Sequence, residues 1–357
     1  MVLSRRNLAV FIGRMQPPHL AHIRIIQQGL DKANNVAVVL GSHRAAPSIR
    51  NPWNDQQRVE MLKRCFSYED QQRIKFVFVR DYPYDDTRWI AEVQHKVEEP
   101  FHNWHFDKLV VKNKPLLVGH AKDETSYYLE YFPQWDFQDI DPMYKGYSAT
   151  QIREEYFSEG PKPSNSWTDF HWSTSVHEGV RDWLEEFRNT SEFALLYEQW
   201  QFVKKYKESW AQAPYPPVFV TTDAVVIKSG HVLLVRRRFN PGKNLWALPG
   251  GHLEQSERVQ DCALRELKEE TRIGLPKKIL STFIKDSYIF DHPHRSTRGR
   301  TITHAYYFKL PDGGRMPEVR ADSDAKVVRW VPLSDLRLIE ESFFEDHIHI
   351  IEHFTTT

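Results

Sequence analysis

The sequence lacks a surplus of either charge. Its 357 residues carry 48 Lys and Arg against 48 Asp and Glu, a formal net charge of zero. Residues 214–357 hold 21 basic and 19 acidic side chains, so neither half has the polybasic composition of a nucleic-acid module. A polyanion would have to be met by local clusters of charge, not by a global field. Cysteine is scarce too. Cys65 and Cys262 are too few and too far apart for a metal knuckle. They read as two reduced thiols of an intracellular protein. No apolar run approaches the roughly 18–20 residues that span a bilayer. Met1–Asn7 leads into no signal-length apolar core. Internal repeats and low-complexity tracts are missing. The expectation is a soluble cytoplasmic protein with neither nucleic acid nor membrane as partner.

Hydrophobic residues make up 40% of the chain and charged residues 27%, a balance that excludes bulk disorder. The length suggests two domains. Leu8–Ile12 is a short apolar run closed by Gly13, and Val36–Leu40 is another closed by Gly41. Amphipathic stretches at His22–Lys32, Asn54–Cys65 and Thr87–Glu98 alternate with further runs at Ile74–Val79 and Pro115–Val118. Such βα alternation predicts a doubly wound, Rossmann-like parallel sheet. From Val176 to Trp210 apolar residues recur at helical spacing. Pro214-Tyr215-Pro216-Pro217 then marks a boundary. Beyond it, short strands at Val218–Ile227, His231–Arg236, Thr301–Lys309 and Lys326–Val331 surround one strong helix, Ser256–Thr271, an α+β pattern. The expected division is 1–188, a helical connector at 189–213, and 214–357.

Two constellations carry chemistry. In the first, Gly13-Arg14-Met15-Gln16-Pro17-Pro18-His19-Leu20-Ala21-His22 ends a strand and opens a helix. A helix N-terminus presents free N–H groups to a phosphate, and Gly13 lets the backbone approach a ligand. His19 and His22, three apart, share one side of the first turn. Downstream, Gly146-Tyr147-Ser148-Ala149-Thr150-Gln151-Ile152-Arg153 places capping hydroxyls before an arginine suited to clamp phosphate oxygens. This pairing resembles the nucleotidyltransferase superfamily. Gly13–Pro17, Ser48-Ile49-Arg50-Asn51-Pro52-Trp53 with Arg58, and Asp81 with Thr87-Arg88-Trp89 are similar to archaeal-like nicotinamide mononucleotide (NMN) adenylyltransferases. The resemblance implies that His19, His22 and Arg153 stabilise charge. It implies that Gly13, Arg14, Arg58, Ser148 and Thr150 bind ATP and NMN, and that Trp89 stacks on nicotinamide. Met15 and Ala21 depart from the usual Phe and Gly.

In the second, Gly250-Gly251 precedes Glu257 and Arg265-Glu266-Leu267-Lys268-Glu269-Glu270. Glu266, Glu269 and Glu270 lie at i, i+3, i+4 on one helix face, where three carboxylates repel unless a cation joins them. Oxygen-only ligands suit Mg²⁺ or Mn²⁺. The spacing is similar to the Nudix box. That resemblance implies Glu266, Glu269 and Glu270 as metal ligands, catalysis through Glu269 and Glu270, help from Glu257, and Arg265 orienting the carboxylates. Arg272 stands where the box has its glycine, which shifts the helix-ending glycine to Gly274. Asp291–Thr303, with Arg295, Arg298 and Arg300, resembles a segment of ADP-ribose-directed Nudix proteins and implies contacts to a second phosphate or ribose. Of Arg236-Arg237-Arg238, strand alternation lets at most two point inward.

Along nearly its whole length the chain resembles bifunctional NMN adenylyltransferase/Nudix hydrolases. The implied fold is a Rossmann-like nucleotidyltransferase domain followed by an α+β Nudix domain. The implied partners are ATP, NMN and ADP-ribose, and homo-oligomerisation is left open. Gly119–Tyr128 and Pro214–Pro217 fit the same pattern. Three alternatives stand beside it: a different phosphate acceptor such as phosphopantetheine, a non-catalytic ADP-ribose sensor, and a Nudix half acting on NADH or another dinucleotide. The short stretch after Val331 disfavours a sensor with an added basic DNA-binding domain.

Overall fold

A computed structural model describes residues 5–102, 114–121, 124–141, 148–161 and 171–355. The chain divides into two compact units, Met1–Tyr197 and Glu198–Thr357.

In the first unit, β1 (Arg6–Gly13), α1 (Leu20–Lys32), β2 (Ala33–Leu40), α2 (Asp55–Lys63), α3 (Tyr68–Arg73), β3 (Ile74–Phe78), α4 (Asp86–His102), β4 (Leu116–Gly119) and β5 (Asp136–Asp139) follow one another. They lead into α5 (Ala149–Ser158), α6 (His171–Ser175), α7 (Glu178–Arg188) and α8 (Ser191–Glu208), the last running across the division between units. The sheet order is β3-β2-β1-β4-β5, every pair parallel. This is the expected Rossmann-like sheet. Both faces are covered. Ala9, Phe11, Val36 and Val38 pack with Ile25, Ile26, Leu30 and Leu62 on one side. Val10, Ile12, Ala37 and Val39 meet Val93 and Val97 on the other. Side chains alternate between faces at period 2, so a continuous apolar run supplies both layers. Burying each such Leu or Ile contributes roughly 1.5–3 kcal/mol. The strand order reverses between β1 and β4, and a ligand crevice is expected at the carboxyl ends there.

The second unit contains β6 (Val218–Lys228), β7 (His231–Arg237), β8 (Trp246–Ala247), β9 (Gly250–His252), α9 (Val259–Thr271), α10 (Lys277–Ser281), β10 (Ile284–Phe290), β11 (Arg300–Lys309), β12 (Ala325–Pro332) and α11 (His347–Thr355). The mixed sheet runs β10-β11-β6-β7-β12, with β8 on β7 and β9 on β6. Ser229 and Gly230, both at positive φ, turn β6 into β7. These strands pair only beside that turn, at Ile227 with Val232 and Lys228 with His231. Beyond it they separate, and β9 takes the free edge of β6 at Thr221–Asp223. That separation seats the Gly250-Gly251 loop against α9, whose Leu264 and Leu267 anchor in the core with Ala224, Val226, Leu233 and Phe308. Among the described residues no helix is long and apolar enough to cross a membrane.

Candidate active sites

Gly13 and Arg14 stand at the carboxyl end of β1, where the switch point predicts a ligand. Met15 adopts a left-handed φ of 52°, reversing the chain. The buried Gln16 side chain then donates to Trp53 O at 2.8 Å and accepts from Trp53 N at 3.1 Å, tying this loop to residues 48–53. His19 is buried at the N-cap of α1 and stacks on His22, ring centroids 3.6 Å apart. The His19 backbone N–H donates to His22 Nδ1 at 3.2 Å. That nitrogen therefore carries no proton, and the neutral His22 ring has its N–H at Nε2.

Arg153, the fifth residue of α5, donates from Nη1 to Gln16 O at 2.5 Å and from Nη2 to Thr150 Oγ1 at 3.1 Å. Burial and the nearby Arg14 push its pKa down to about 10. The same two causes, in the same order, bring Arg50 to about 10. Arg14, Arg50 and Arg153 thus form a cation crowd, tied through Arg153 to Gln16 of the loop that leads into α1. Arg50 is the residue that motif reasoning passed over, although it lies inside the quoted segment next to Asn51-Pro52. Ser148 occupies the N-cap of α5 and makes no side-chain cap hydrogen bond. Gly146 and Tyr147, and the side chains of residues 122–127, lie outside the described residues. Trp89 is half-buried in the first turn of α4, edge-on to Tyr128 (6.2 Å) and Phe132 (5.9 Å).

Arg58 departs from the expectation of a phosphate contact. Its side chain is fully buried and bonds Arg14 O, Gly41 O and Asp55 Oδ1 at 2.6–2.7 Å. The reason is local: Asp55 lies three residues earlier on the same helix face.

In the second unit Gly250 is required by close approach to main chain, and Gly251 leaves room for the Glu266 carboxylate. A Cβ on Gly250 would sit 2.1 Å from Thr222 O, and one on Gly251 would sit 2.3 Å from Glu266 Oε1. Arg265 organises α9. It bonds Glu257 through Nε (3.0 Å) and Nη2 (2.7 Å), and from Nη1 reaches Glu266 (2.8 Å) and Glu269 (3.1 Å). The Glu257 carboxyl is held down at about 2, mainly by Arg265. Burial pushes Glu266 up. Glu270, almost fully buried and accepting from Gly250 N at 3.1 Å, is pushed up to about 8, chiefly by burial. Arg265 draws Glu266 and Glu269 to itself while Glu270 turns to Gly250. As they stand, no three His, Cys, Asp or Glu among the described residues are grouped to hold an ion. The oxygen-only set nevertheless fits a hard divalent cation, which would relieve both raised carboxyls.

Of the three arginines at 236–238, only Arg237 joins this site. Its guanidinium lies over Phe344 at 4.2 Å and near Glu270. Arg298 faces Arg237. Its Nε is buried without a hydrogen-bond partner, and burial together with these two arginines holds His252 at about 4. Arg295 is placed otherwise than expected. It is buried in a bidentate pair with Asp346 (2.8 and 2.9 Å), with Asp223 at 4.0 Å, and secures its loop instead of facing a ligand. Arg300 turns to Asp291, bonding its carbonyl. The helix-ending glycine does not shift to Gly274. Arg272 itself takes the left-handed conformation, φ 45°, that ends α9, and its N–H makes the last i→i−4 bond, to Lys268 O at 3.0 Å.

A cytidylyltransferase-like family model matches residues 10–155, and a NUDIX domain model matches residues 218–354. The nicotinamide/nicotinic acid mononucleotide adenylyltransferase of Acinetobacter baylyi is 38% identical over 148 residues, 42% of this chain and 74% of that protein. The ADP-ribose pyrophosphatase of Methanocaldococcus jannaschii is 34% identical over 117 residues, 33% of this chain and 63% of that protein. A bifunctional NMN adenylyltransferase/ADP ribose pyrophosphatase from Francisella tularensis, solved with AMP and a Mn ion, superposes with a TM-score of 0.87. It is 34% identical, with 98% of this chain and 99% of that one covered.

Proposed function

The chain belongs to the family of bifunctional NMN adenylyltransferases/ADP-ribose pyrophosphatases, and from that premise we propose how its residues divide two reactions of NAD metabolism. The first unit transfers the adenylyl group of ATP to NMN, giving NAD and pyrophosphate. The second hydrolyses ADP-ribose to AMP and ribose 5-phosphate.

In the first reaction a 5′-phosphate oxygen of NMN attacks the α-phosphorus of ATP in line, and the bond to the β-phosphate oxygen breaks. The nucleophile is already ionised at neutral pH, so no general base is needed. Catalysis is positioning plus charge stabilisation. Arg14, Arg50 and Arg153 would grip the phosphates. His19 and the Nε2–H of His22 would stabilise charge developing on them. Gly13, Ser148 and Thr150 would line the nucleotide, and Trp89 would present its ring to cationic nicotinamide.

In the second unit Glu266, Glu269 and Glu270 would hold a divalent cation, Mg²⁺ with Mn²⁺ as substitute. When bound, the cation supplies positive charge against the diphosphate. Arg265 orients the carboxylates. Arg237 and Arg298 point cationic groups at the place a diphosphate would occupy, while Arg295 and Arg300 support the loop. A cytoplasmic setting belongs to the same proposal.

The observation that carries the assignment is the contrast between the two sites: arginines crowded together in one, carboxylates crowded together in the other. Chromatography of the purified chain with Mg²⁺ tests it, first with ATP and NMN, then with ADP-ribose. NAD in the first reaction and AMP in the second are expected. Absence of either product refutes that half.

A further inference from the structure

The ends of β1 and β2 need a lock beyond their last paired residues. The parallel ladder ends with Gly13 opposite Leu40, and Gly41 N–H adds one more bond to Gly13 O at 3.2 Å. Past that point the β1 chain turns through Met15 at φ 52°, and the β2 chain turns through Ser42 at φ 54°. One nitrogen, Arg58 Nη1, donates to both Arg14 O and Gly41 O at 2.7 Å, joining the two strands where the ladder stops. Nη2 of the same guanidinium bonds Asp55 Oδ1 at 2.6 Å, and Asp55 Oδ2 lies 2.5 Å from His43 Nδ1. Although burial pushes the Asp55 carboxyl up, its contacts with His43 and Arg58 hold it below its ordinary value, so it serves as an anion. The Arg14 side chain is exposed beside Arg50 and Arg153, while its carbonyl is the one Arg58 holds.

We infer that His43, Asp55 and Arg58 form a positioning clamp that sets the Arg14 phosphate arm by fixing the main chain at the ends of β1 and β2, with Arg58 itself touching no substrate. This rests on the adenylyl-transfer reading of the first unit. The Arg58 side chain is fully buried, with Nη1 on two main-chain carbonyls and Nη2 on Asp55. Removing a partner would leave a buried charge uncompensated and let it pull away from the carbonyls. A shift of about 1 Å in a phosphate-positioning group is enough to slow such a reaction roughly 100-fold.

The two views of Arg58 give opposite signs. If Arg58 bound phosphate directly, Asp55 would compete with the substrate, and Asp55→Ala would tighten ATP. If Arg58 acts through the Arg14 main chain, Asp55→Ala weakens ATP and lowers kcat. The full-length wild type, Asp55→Ala, Arg14→Ala and the double variant are compared for NAD formation and for ATP affinity. Thermal unfolding of the same chains, followed by calorimetry, reports folding of the first unit, and hydrolysis of ADP-ribose reports that of the second. Asp55→Ala is expected to lower kcat by about tenfold or more and to raise the ATP dissociation constant, with ADP-ribose hydrolysis retained. In the Arg14→Ala background the same change should add less than about twofold, because both act through one group. Tighter ATP binding in Asp55→Ala, or a full independent loss in the double variant, overturns the clamp. Should Asp55→Ala fail to fold, Asp55→Asn and His43→Gln carry the same comparison. A wild type that makes no NAD overturns the functional reading alone, since ATP affinity still judges the clamp.

Discussion

Glu270 is the best place to weigh a carboxylate against its fold. Burial pushes its pKa from 4.5 to about 8, with the neighbouring Glu266 adding in the same direction and the Gly250 N–H opposing. Below pH 4.5 the carboxyl is protonated in both folded and unfolded chains, and its burial is uncharged. Between 4.5 and about 8 the folded state holds a proton that the unfolded state releases, so stability falls as pH rises. A tenfold difference in proton affinity between the two states is worth about 1.36 kcal/mol, which sets a ceiling on the order of 4–5 kcal/mol for the loss above pH 8. Glutamine has the same shape, its oxygen still accepts from Gly250 N–H, and it cannot ionise. In chelator, Glu270→Gln should therefore unfold about 10 °C higher than wild type at pH 8. At pH 4.5 the two should coincide. Thermal unfolding followed by calorimetry reads the transition of the second unit. A divalent cation should raise the wild-type transition more than that of the variant, because only the wild type has a carboxylate there for it to neutralise. Coincident transitions at pH 8 without metal would refute the argument, since they would mean that the buried carboxylate bears no ionisation penalty.

Three further outcomes are expected. His19→Ala should lower NAD formation at least about 100-fold, the loss typical of removing a donor to developing charge, with ADP-ribose hydrolysis spared; loss of both activities in a folded protein would contradict two separate sites. Glu269→Gln should show the reverse, hydrolysis down by at least about 100-fold in a product assay and NAD formation intact. Arg272→Gly should stabilise the second unit by roughly 0.5 kcal/mol in denaturant unfolding, because relief of the left-handed φ of 45° outweighs the exposed pair with Asp322. A clear destabilisation would show that the pair is the stronger term.

The parallel sheet was legible because each of its inner strands is an unbroken apolar run that must be covered on both faces. β5 was not: Asp136-Phe137-Gln138-Asp139 is a four-residue edge strand with no such run. β10 escaped for a related reason, since Lys285–Ile289 are all exposed and show no inside-outside alternation. At the sites, residues whose chemistry and spacing travel together were legible as neighbours: His19 stacks on His22, and Glu266 and Glu269 both meet Arg265. Arg58 and Arg295 were not legible in that way. Motif position marks them as cations near a phosphate, but for Arg58 the neighbouring Asp55 and the carbonyls that β1 and β2 bring to it take up the guanidinium. For Arg295 the partner is Asp346, 51 residues away in sequence, and a contact of that range leaves no local trace. Arg237 and Arg298 illustrate the converse. Neither is distinguished from its arginine neighbours by sequence, and only the direction of the strand and loop selects them.

The neutral composition conceals two opposite electrostatic arrangements. In the first unit, burial and then the nearby Arg14 guanidinium lower the proton affinity of Arg50 and Arg153, while Gln16 O accepts from Arg153, and the Arg14 and Gly41 carbonyls with Asp55 accept from Arg58. Such a cluster is destabilised when empty and relieved by a polyanion, so substrate binding and relief of repulsion are one event. In the second unit the strain has the other sign: burial raises Glu266 and Glu270, and Arg265 offsets only part of the negative charge. A polyanion alone would worsen that repulsion. On the proposed assignment the second site would take a cation before, or together with, its diphosphate, beside Arg237 and Arg298, whereas the first would meet its phosphates with its own arginines.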